Sequence, residues 1–250
     1  MGKRLIVFTY GVLCYIVFFA TFLYAVGFVC NLYVPRSMDG LPVAALASSL
    51  PVDLALLSLF AVQHSVMARP VFKRWMTRFI PEPAERSTYV LASSVALIIL
   101  FAFWEPLGGV VWSVTQPTAV IALYSLCAFG WLLVLVSTFL INHFDLFGLR
   151  QVWLYVRSQS YTHLTFRTPG PYRLVRHPLY VGWLFAFWAT PVMTFTHLVF
   201  TLATSGYILA AIQWEERDLV AHLGDQYSTY RKRVPMLIPG LSLLRSRRQT

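Results

Sequence analysis

Residues 179–212 read LYVGWLFAFWATPVMTFTHLVFTLATSGYILAAI, an apolar run that is too long for a single crossing of a bilayer. A membrane-spanning helix needs about 20 predominantly apolar residues. Pro191 interrupts the run near its middle, and Thr190 and Thr194 lie close to it. Because proline removes a backbone donor and favours a turn, we predict a helical hairpin with its tip near Pro191.

Four further apolar runs precede this hairpin, at about residues 5–32, 46–66, 87–103 and 118–141. Hydrophobic residues make up 58% of the 250-residue chain and charged residues only 12%, with a mean hydropathy of +0.63. Soluble domains carry about 25% charged residues, so this composition excludes one. We predict an all-α fold, a polytopic transmembrane helical bundle with about six membrane-crossing segments. It forms one domain over residues 1–250, with residues 213–240 as a cytoplasmic C-terminal helix and cap.

The basic residues give the orientation of these spans. Of the 20 Lys and Arg residues, all except Arg36 fall on one side of a bundle with six crossings. Loops rich in Lys and Arg remain in the cytoplasm, so we predict that both termini are cytoplasmic. The formal net charge of +10 then reflects these loops and indicates no nucleic-acid partner.

The polar residues of the predicted spans gather at their cytoplasmic ends, whereas the outer ends are nearly featureless. This layer contains Gln63, His64, Asn142, His143, Asp145, Arg176, His177, Tyr180, Glu215 and Glu216. Ionisable groups at membrane depth are costly, and they mark functional sites by default. A channel or carrier needs polar groups through the whole membrane. The one-sided layer therefore predicts a pocket that faces the cytosol.

Each of these residues also has a structural interpretation. His64 at a span end is compatible with a helix terminus at the membrane interface. The pair of His143 and Asp145 is compatible with local hydrogen bonding at the end of a helix. Neighbouring helical residues diverge by about 100°, so at most one of Glu215 and Glu216 faces a pocket. The other is expected to pair with Arg217 or Arg231, or to face water.

Two segments carry a resemblance to a known superfamily: RLVRHPLYVGWL at residues 173–184 and EERDLVAHLGDQYSTYRKRVPMLIP at residues 215–239. Their order and spacing around a membrane hairpin resemble the integral-membrane methyltransferases. That superfamily includes isoprenylcysteine carboxyl methyltransferases and phospholipid N-methyltransferases.

Four more segments resemble one branch of that superfamily, the methanethiol S-methyltransferases. They are QHSVMARPVFKRW, PEPAERSTYVL, LINHFDLFGLRQVWLY and FRTPGPYRLVRHPLY, and together they cover nearly the whole chain. The resemblance implies methylation of methanethiol by S-adenosylmethionine, with release of dimethyl sulfide. It also implies a bacterial inner-membrane protein whose partners are a small volatile thiol and the lipid bilayer. The oligomeric state stays open, and a monomer is compatible with the sequence.

The chemistry of S-adenosylmethionine matches the polar residues around the hairpin. Its carboxylate needs a cation or oriented amides, and we expect these from Arg176, His177 and the start of the hairpin helix. Its amino group or ribose hydroxyls need an acceptor, which Glu215 or Glu216 can provide. We expect the adenine to contact tyrosine side chains. We also expect the ligand to lie close to the backbone at a glycine. The residues meant are Tyr180, Tyr227, Tyr230 and Gly182.

A thiol is mostly protonated at neutral pH, so its methylation is helped by a base. The candidates are His64 and His143, the latter oriented by Asp145, while Asn142 helps to place the thiol. Cys14, Cys30 and Cys127 lie in apolar stretches without CxxC spacing, and we predict neither a disulfide framework nor a metal site.

Two alternatives remain open at this point. The first keeps the reaction and changes the acceptor to an isoprenylcysteine or a phospholipid. The second is a non-catalytic membrane protein on the same scaffold, which would bind no S-adenosylmethionine. The sequence also leaves open whether residues 150–172 form a lid.

Overall fold

The computed structural model describes residues 1–42, 44–162 and 164–240. Contacts divide the chain into two compact units. The first unit comprises Met1–Ser113, Asn142–Leu164 and Val192–Phe200, and the second comprises Val114–Ile141, Thr165–Pro191 and Thr201–Thr250. Part of the predicted basic tail, with Arg245, Arg247 and Arg248, lies outside the described residues.

The described residues form ten α-helices and two short strands. The helices are α1 (Gly2–Cys30), α2 (Leu46–Met67), α3 (Pro70–Met76), α4 (Glu85–Phe103), α5 (Pro117–Ile141), α6 (His143–Leu146), α7 (Leu149–Val156), α8 (Pro178–Trp188), α9 (Phe195–Leu223) and α10 (Asp225–Arg233). The strands are β1 (Val110–Ser113) and β2 (Val192–Thr194). Single 3-10 turns lie at Glu82–Ala84 and Gly170–Arg173.

Five of these helices are long and apolar enough to cross a membrane: α1, α2, α4 with its preceding 3-10 turn, α5 and α9. Their outward side chains are apolar and exposed, as in Ile6 (70%), Ile121 (65%) and Leu132 (57%). Such surfaces suit lipid and not water. The predicted polytopic helical bundle is therefore confirmed, and the chain is an integral membrane protein.

The two arms of the predicted hairpin differ in length. The first arm, α8, has 11 residues and is about 16 Å long, which is shorter than a bilayer crossing. The second arm, α9, has 29 residues and continues to Leu223, well beyond the predicted end at residue 212. Gly224, with a φ of 57°, separates α9 from α10, because a left-handed conformation ends the helix there.

The hairpin tip contains a strand that we did not expect from the sequence. Strand β2 pairs antiparallel with β1, which lies in the loop after α4, and the register places Trp112 opposite Met193. Gly108 and Gly109 have φ values of 72° and 67°, so the chain can turn sharply into β1. The tip is thus held by a β pair within the first unit.

Within the first unit, α1 packs against α4 and α7. A Cβ atom at Gly11 of α1 would lie 2.6 Å from Cγ2 of Val152 in α7. Helices α1 and α7 can therefore pack this closely because residue 11 is glycine. Val7, Ala84 and Val152 form a buried cluster beside this contact.

One end of the first unit carries a buried polar network. Asp39 Oδ2 lies 3.0 Å from His197 Nδ1 and accepts a hydrogen bond from Asn31 Nδ2 at 2.7 Å. Thr194 Oγ1 donates to the other carboxylate oxygen, Oδ1. Burial would raise the pKa of Asp39, but the hydrogen bonds from His197, Thr194 and Asn31 and the charge of His197 bring it below its ordinary value.

The expectation of nearly featureless outer ends is therefore wrong for this end of the helices. Asp53 is fully buried in α2 and accepts a hydrogen bond from the backbone N–H of Glu105 at 3.0 Å. Thr196 Oγ1 accepts from the backbone N–H of Leu107 at 2.7 Å. Buried backbone N–H groups need hydrogen-bond acceptors. At this end of the first unit, many of these N–H groups belong to loop residues. Asp53 and Thr196 each satisfy one of these backbone donors.

Within the second unit, α5 and α8 make the most extensive helix contact. Their backbones approach closely at Gly130 and Gly182. A Cβ atom at Gly182 would lie 2.8 Å from both Gly130 O and Val134 N. On the other side of α8, Thr201 Oγ1 donates to Phe187 O and Trp188 Nε1 donates to Ser205 Oγ, which ties α8 to α9.

Candidate active site

Glu216 is the centre of a polar cluster in the second unit. Its Oε1 atom accepts from Arg176 Nε at 2.7 Å and lies 3.0 Å from His177 Nε2. Its Oε2 atom lies 2.9 Å from Arg231 Nε. The Glu216 side chain is 3% exposed and that of Arg176 is 10% exposed. A buried carboxylate with three cationic or polar partners is strongly held in place.

The backbone around the start of α8 holds this cluster in position. Arg176 N donates to Pro235 O at 2.9 Å, and His177 N donates to Met236 O at 3.2 Å. Arg176 Nη1 also donates to Arg231 O and Val234 O. The segment after α10 therefore runs beside the entry to α8.

Glu215 occupies a more open position than Glu216. Its side chain is 46% exposed, and its Oε2 atom accepts from Tyr180 Oη at 3.0 Å. The same oxygen lies 3.9 Å from His177 Nδ1. The structure thus distinguishes two neighbouring carboxylates that the sequence left equivalent. Glu216 joins the buried cluster and takes Arg231 as a partner, while Glu215 reaches solvent.

A cluster of aromatic side chains lies at α10. The rings of Tyr227 and Tyr230 lie 5.8 Å apart, and both contact Phe166. Tyr230 Oη donates to Tyr172 O at 2.5 Å. Burial raises the pKa of Tyr230 to about 12, and burial also raises the pKa values of Tyr227 and Tyr172. These hydroxyl groups therefore stay protonated at neutral pH, and Tyr230 donates its proton to the hydrogen bond with Tyr172 O.

The structure gives Gly182 a role that differs from the sequence interpretation. We expected this glycine to leave room for a ligand beside the backbone. The space over its Cα is filled by α5, because Gly130 O and Val134 N lie where a side chain would be. Gly182 is therefore a helix-packing residue of the α5–α8 contact.

His64 lies at the end of α2 in the first unit. Its Nε2 atom lies 2.8 Å from Tyr89 Oη, and its Nδ1 atom lies 3.1 Å from Ser93 Oγ. The Phe60 ring stacks on the imidazole at 5.2 Å. The guanidinium of Arg86 lies over the Tyr89 ring at 5.2 Å. His64 is thus held by hydroxyl groups that can fix its orientation.

His143 lies in α6 of the same unit and is 3% exposed. Its Nε2 atom lies 2.8 Å from Tyr15 Oη, and the rings of Phe144 and Phe147 pack against it at 5.5 Å and 4.8 Å. Burial lowers the pKa of His143. Its imidazole is therefore neutral at pH 7, the state in which it can accept a proton.

Asn142 and Asp145 shape the segment around His143. Asn142 Oδ1 accepts from Asp145 N at 3.1 Å and caps α6, and its backbone has a φ of 159°. The Asp145 carboxylate pairs with Arg150 at 2.8 Å and accepts from Tyr161 Oη at 3.2 Å. Arg150 in turn donates to the backbone oxygen of Thr162. Asp145 thereby ties the loop after α7 to α6.

Known proteins resemble this chain over nearly its whole length. It is 56% identical to methanethiol S-methyltransferase of Crocosphaera subtropica over 237 residues, which are 95% of this chain and 93% of that protein. It is 53% identical to methanethiol S-methyltransferase of Mycobacterium tuberculosis, covering 95% of this chain and 97% of that protein. The chain belongs to the methanethiol S-methyltransferase family.

Nurim of Bos taurus is a more distant relative of this chain. The two are 32% identical over 176 residues, which are 67% of this chain and 66% of nurim. No family model and no solved structure matches the chain. The membership identifies the chain as a methyltransferase and confirms the family resemblance found in its sequence.

The sequence analysis did not identify several residues that contact the candidate site residues. They are Tyr15, Tyr89, Ser93, Phe166 and Tyr172. Tyr15, Tyr89 and Ser93 lie inside apolar spans, where a hydroxyl group carries no signal of its own. The only available signal was their depth, since each lies near the same membrane side as a candidate histidine.

Proposed function

We propose that this protein transfers a methyl group from S-adenosylmethionine to methanethiol and releases dimethyl sulfide. The observation that carries the proposal is the 56% identity to a methanethiol S-methyltransferase over 95% of the chain. We place the reaction at the cytoplasmic face of the bacterial inner membrane, with both termini in the cytoplasm. The positive-inside distribution of the basic residues supports this orientation, with the hairpin of α8 and α9 beginning and ending on the cytoplasmic side.

The residues of the second unit fit the groups of S-adenosylmethionine. The half-exposed carboxylate of Glu215 suits an ammonium group or ribose hydroxyls. The outer guanidinium nitrogens of Arg231, whose side chain is 47% exposed, suit a carboxylate. The buried ion pair of Arg176 and Glu216 then holds the side chains of Glu215 and Arg231 in place and does not itself make the main contacts to S-adenosylmethionine. Tyr180 and Tyr230 remain our candidates for the adenine, and Tyr227, which is 2% exposed, packs against the Tyr230 ring.

The transfer joins the thiol sulfur to the methyl carbon. S-adenosylmethionine, when bound, supplies an electrophilic methyl group for in-line attack, with its sulfonium sulfur leaving as a thioether. The thiol loses one proton in this step, and we propose His64 or His143 as the acceptor. Tyr89 and Ser93 orient the first imidazole, and Tyr15 orients the second. Asn142 shapes the segment that carries His143.

A membrane location suits both reactants. A small volatile thiol partitions into lipid, whereas the methyl donor is charged and dissolves in the cytosol. A site at the inner boundary of the membrane is accessible to both. Removing water from the reacting groups also favours the transfer, because a thiolate and a sulfonium lose charge as they react.

The deciding experiment adds methanethiol and S-adenosylmethionine to the purified protein and measures dimethyl sulfide in the headspace. We expect production that depends on both compounds and on intact protein. The same assay with labelled methyl donor, an isoprenylcysteine analogue and a phosphatidylethanolamine tests the acceptor. Methylation of either large acceptor but not of methanethiol would overturn the substrate assignment. A protein that binds neither S-adenosylmethionine nor its demethylated product would overturn the enzymatic function itself.

A further inference from the structure

The connection between two membrane-spanning helices carries an unusual surface. Helix α3 begins at Pro70, three residues after α2 ends at Met67, and the next span begins with the 3-10 turn at Glu82. Three residues reach about 10 Å at most. Helix α3 and the turn after it therefore cannot lie far from the membrane boundary. We call residues 69–80 the α3 segment.

One face of the α3 segment is apolar and exposed. Val71 is 69% exposed, Trp75 is 50% exposed and Phe79 is 73% exposed. Val71 and Trp75 lie one turn apart on α3, and Phe79, in the turn after the helix, extends this row through its contact with Trp75. The Trp75 ring contacts both Phe72 and Phe79, at 5.2 Å and 5.3 Å. Met76, on the opposite side, is buried against the protein.

Basic side chains flank this row. Residues 69–84 contain Arg69, Lys73, Arg74 and Arg78 and a single acidic residue, Glu82. Lys73 lies 4.0 Å from Glu85, and Arg69 Nε donates to Ser65 O, so both face the protein. Arg74 on α3 and Arg78 in the turn after it are both exposed, three and seven residues after Val71. An apolar row with adjacent cations is the pattern of a segment lying in a membrane interface.

We propose that the α3 segment binds anionic phospholipid headgroups, with Val71, Trp75 and Phe79 inserted among the acyl chains and Arg74 and Arg78 on the phosphates. Charge complementarity carries the choice of an anionic lipid, because two exposed arginine side chains accompany the exposed apolar row. The segment then anchors the end of α2, where His64 lies. This inference does not depend on the identity of the methyl acceptor.

The test measures binding of single dioleoyl phosphatidylglycerol molecules to the detergent-solubilised full chain by native mass spectrometry at low salt. The variant Arg74→Gln/Arg78→Gln removes both cations. The matched control, Lys232→Gln/Arg233→Gln, removes the same charge from exposed positions at the end of α10. We expect the apparent Kd to rise at least fivefold in the first variant and less than twofold in the control. The variant Arg74→Lys/Arg78→Lys should keep the wild-type Kd within about threefold.

Two further arms separate the lipid from a small anion. Dioleoyl phosphatidylcholine should bind at least fivefold more weakly than phosphatidylglycerol, and sn-glycerol 1-phosphate should not displace the lipid. The variant Trp75→Ser/Phe79→Ser should weaken phosphatidylglycerol binding as well. Equal losses in the two charge-removing variants, or displacement by glycerol phosphate, would overturn the proposal. If the variant Arg74→Gln/Arg78→Gln shows no thermal unfolding transition, the variant Arg74→Lys/Arg78→Lys is used in its place. Failure of this lysine variant to retain phosphatidylglycerol binding would also contradict the proposal.

Discussion

Arg176 and Glu216 form a buried ion pair that joins the start of α8 to α9, with 2.7 Å between Arg176 Nε and Glu216 Oε1. His177 and Arg231 approach the same carboxylate, so one acidic side chain holds three segments of the second unit together. The neighbouring Glu215 lies at the exposed edge of this arrangement. The two carboxylates are therefore expected to respond differently to the same substitution.

Replacing Glu216 with glutamine should destabilise the protein strongly. The substitution keeps the shape of the side chain but leaves the buried Arg176 guanidinium without a compensating charge, which costs about 3–5 kcal/mol. We expect the Tm in detergent to fall by roughly 10 °C, as measured by tryptophan fluorescence on heating. Glu215→Gln is the matched control and should shift the Tm by less than about 2 °C. Equal shifts would contradict the distinction between the two residues.

The Glu215→Gln variant should instead weaken ligand binding. Because its carboxylate is half-exposed and is our proposed acceptor for the methyl donor, its loss removes one charge-assisted hydrogen bond, worth about 1.5–3 kcal/mol. Titration calorimetry with the demethylated product should show a Kd increased roughly tenfold or more. An unchanged Kd would remove Glu215 from the proposed binding residues.

Gly182→Ala should separate helices α5 and α8. The new methyl group would lie 2.8 Å from backbone atoms of Gly130 and Val134, which cannot move aside like a side chain. We expect a loss of about 1–3 kcal/mol in unfolding free energy, measured as a lowered Tm. Gly206→Ala is the control, because nothing lies within 4 Å of its Cβ position. The control should be neutral or slightly stabilising, and a similar loss in both variants would refute the packing argument.

The pH dependence of activity should identify the base. A thiol ionises increasingly above neutral pH, so a base matters most near pH 7. The variant of the true base, His64→Ala or His143→Ala, should lose at least tenfold in kcat at pH 7 and clearly less at about pH 9.5. Because burial lowers the pKa of His143, a wild-type rate that uses His143 should fall only below about pH 6.5. Equal losses at both pH values in both variants would exclude a base role for either histidine.

Asp39 should make the stability of the first unit depend on acidic pH. Its pKa is lower in the folded protein than in the unfolded chain, so unfolding takes up a proton as the pH falls. The stabilisation is present above about pH 4 and is lost as the pH falls through the folded pKa. Asp39→Asn should lower the Tm at pH 7 and show a smaller Tm difference between about pH 5 and about pH 2. Asp225→Asn, an exposed residue of α10, should retain the wild-type difference.

Asp145 should control the loop after α7. Its ion pair with Arg150 supports the contacts from Arg150 to Thr162, and Tyr161 donates to the same carboxylate. Asp145→Asn should therefore expose this loop, and brief trypsin treatment should cleave after Arg157 several times faster, as followed by mass spectrometry. Glu82→Gln serves as a control from another exposed segment and should digest like the wild type.

The membrane-spanning elements could be predicted from the sequence because apolar run length alone defines them. The predicted run at residues 118–141 differs from α5 by one residue at its start. Boundaries failed where tertiary contacts decide them. The arm α8 ends early because the chain turns to place β2 against β1, and no property of residues 189–194 alone indicates a strand. Helix α9 runs on past residue 212 because Glu216 has buried partners in the fold.

The site was predictable by residue type but not by role. Arg176, His177 and Glu216 were expected together and lie within hydrogen-bonding distance. Their mutual pairing could not be foreseen, because a sequence does not show whether a charge faces a ligand or another side chain. The network around Asp39 was overlooked for a related reason. Its members are few and widely separated in the chain, so they form no local pattern.

The contact between Asp39 and His197 also has a temporal consequence. The two residues are 158 positions apart in the sequence, and both belong to the first unit. During translation the early helices enter the membrane long before His197 leaves the ribosome. The N-terminal half therefore has only Asn31 as a partner for this carboxylate until the final hairpin brings Thr194 and His197. Closure of this end is therefore a late step in biogenesis.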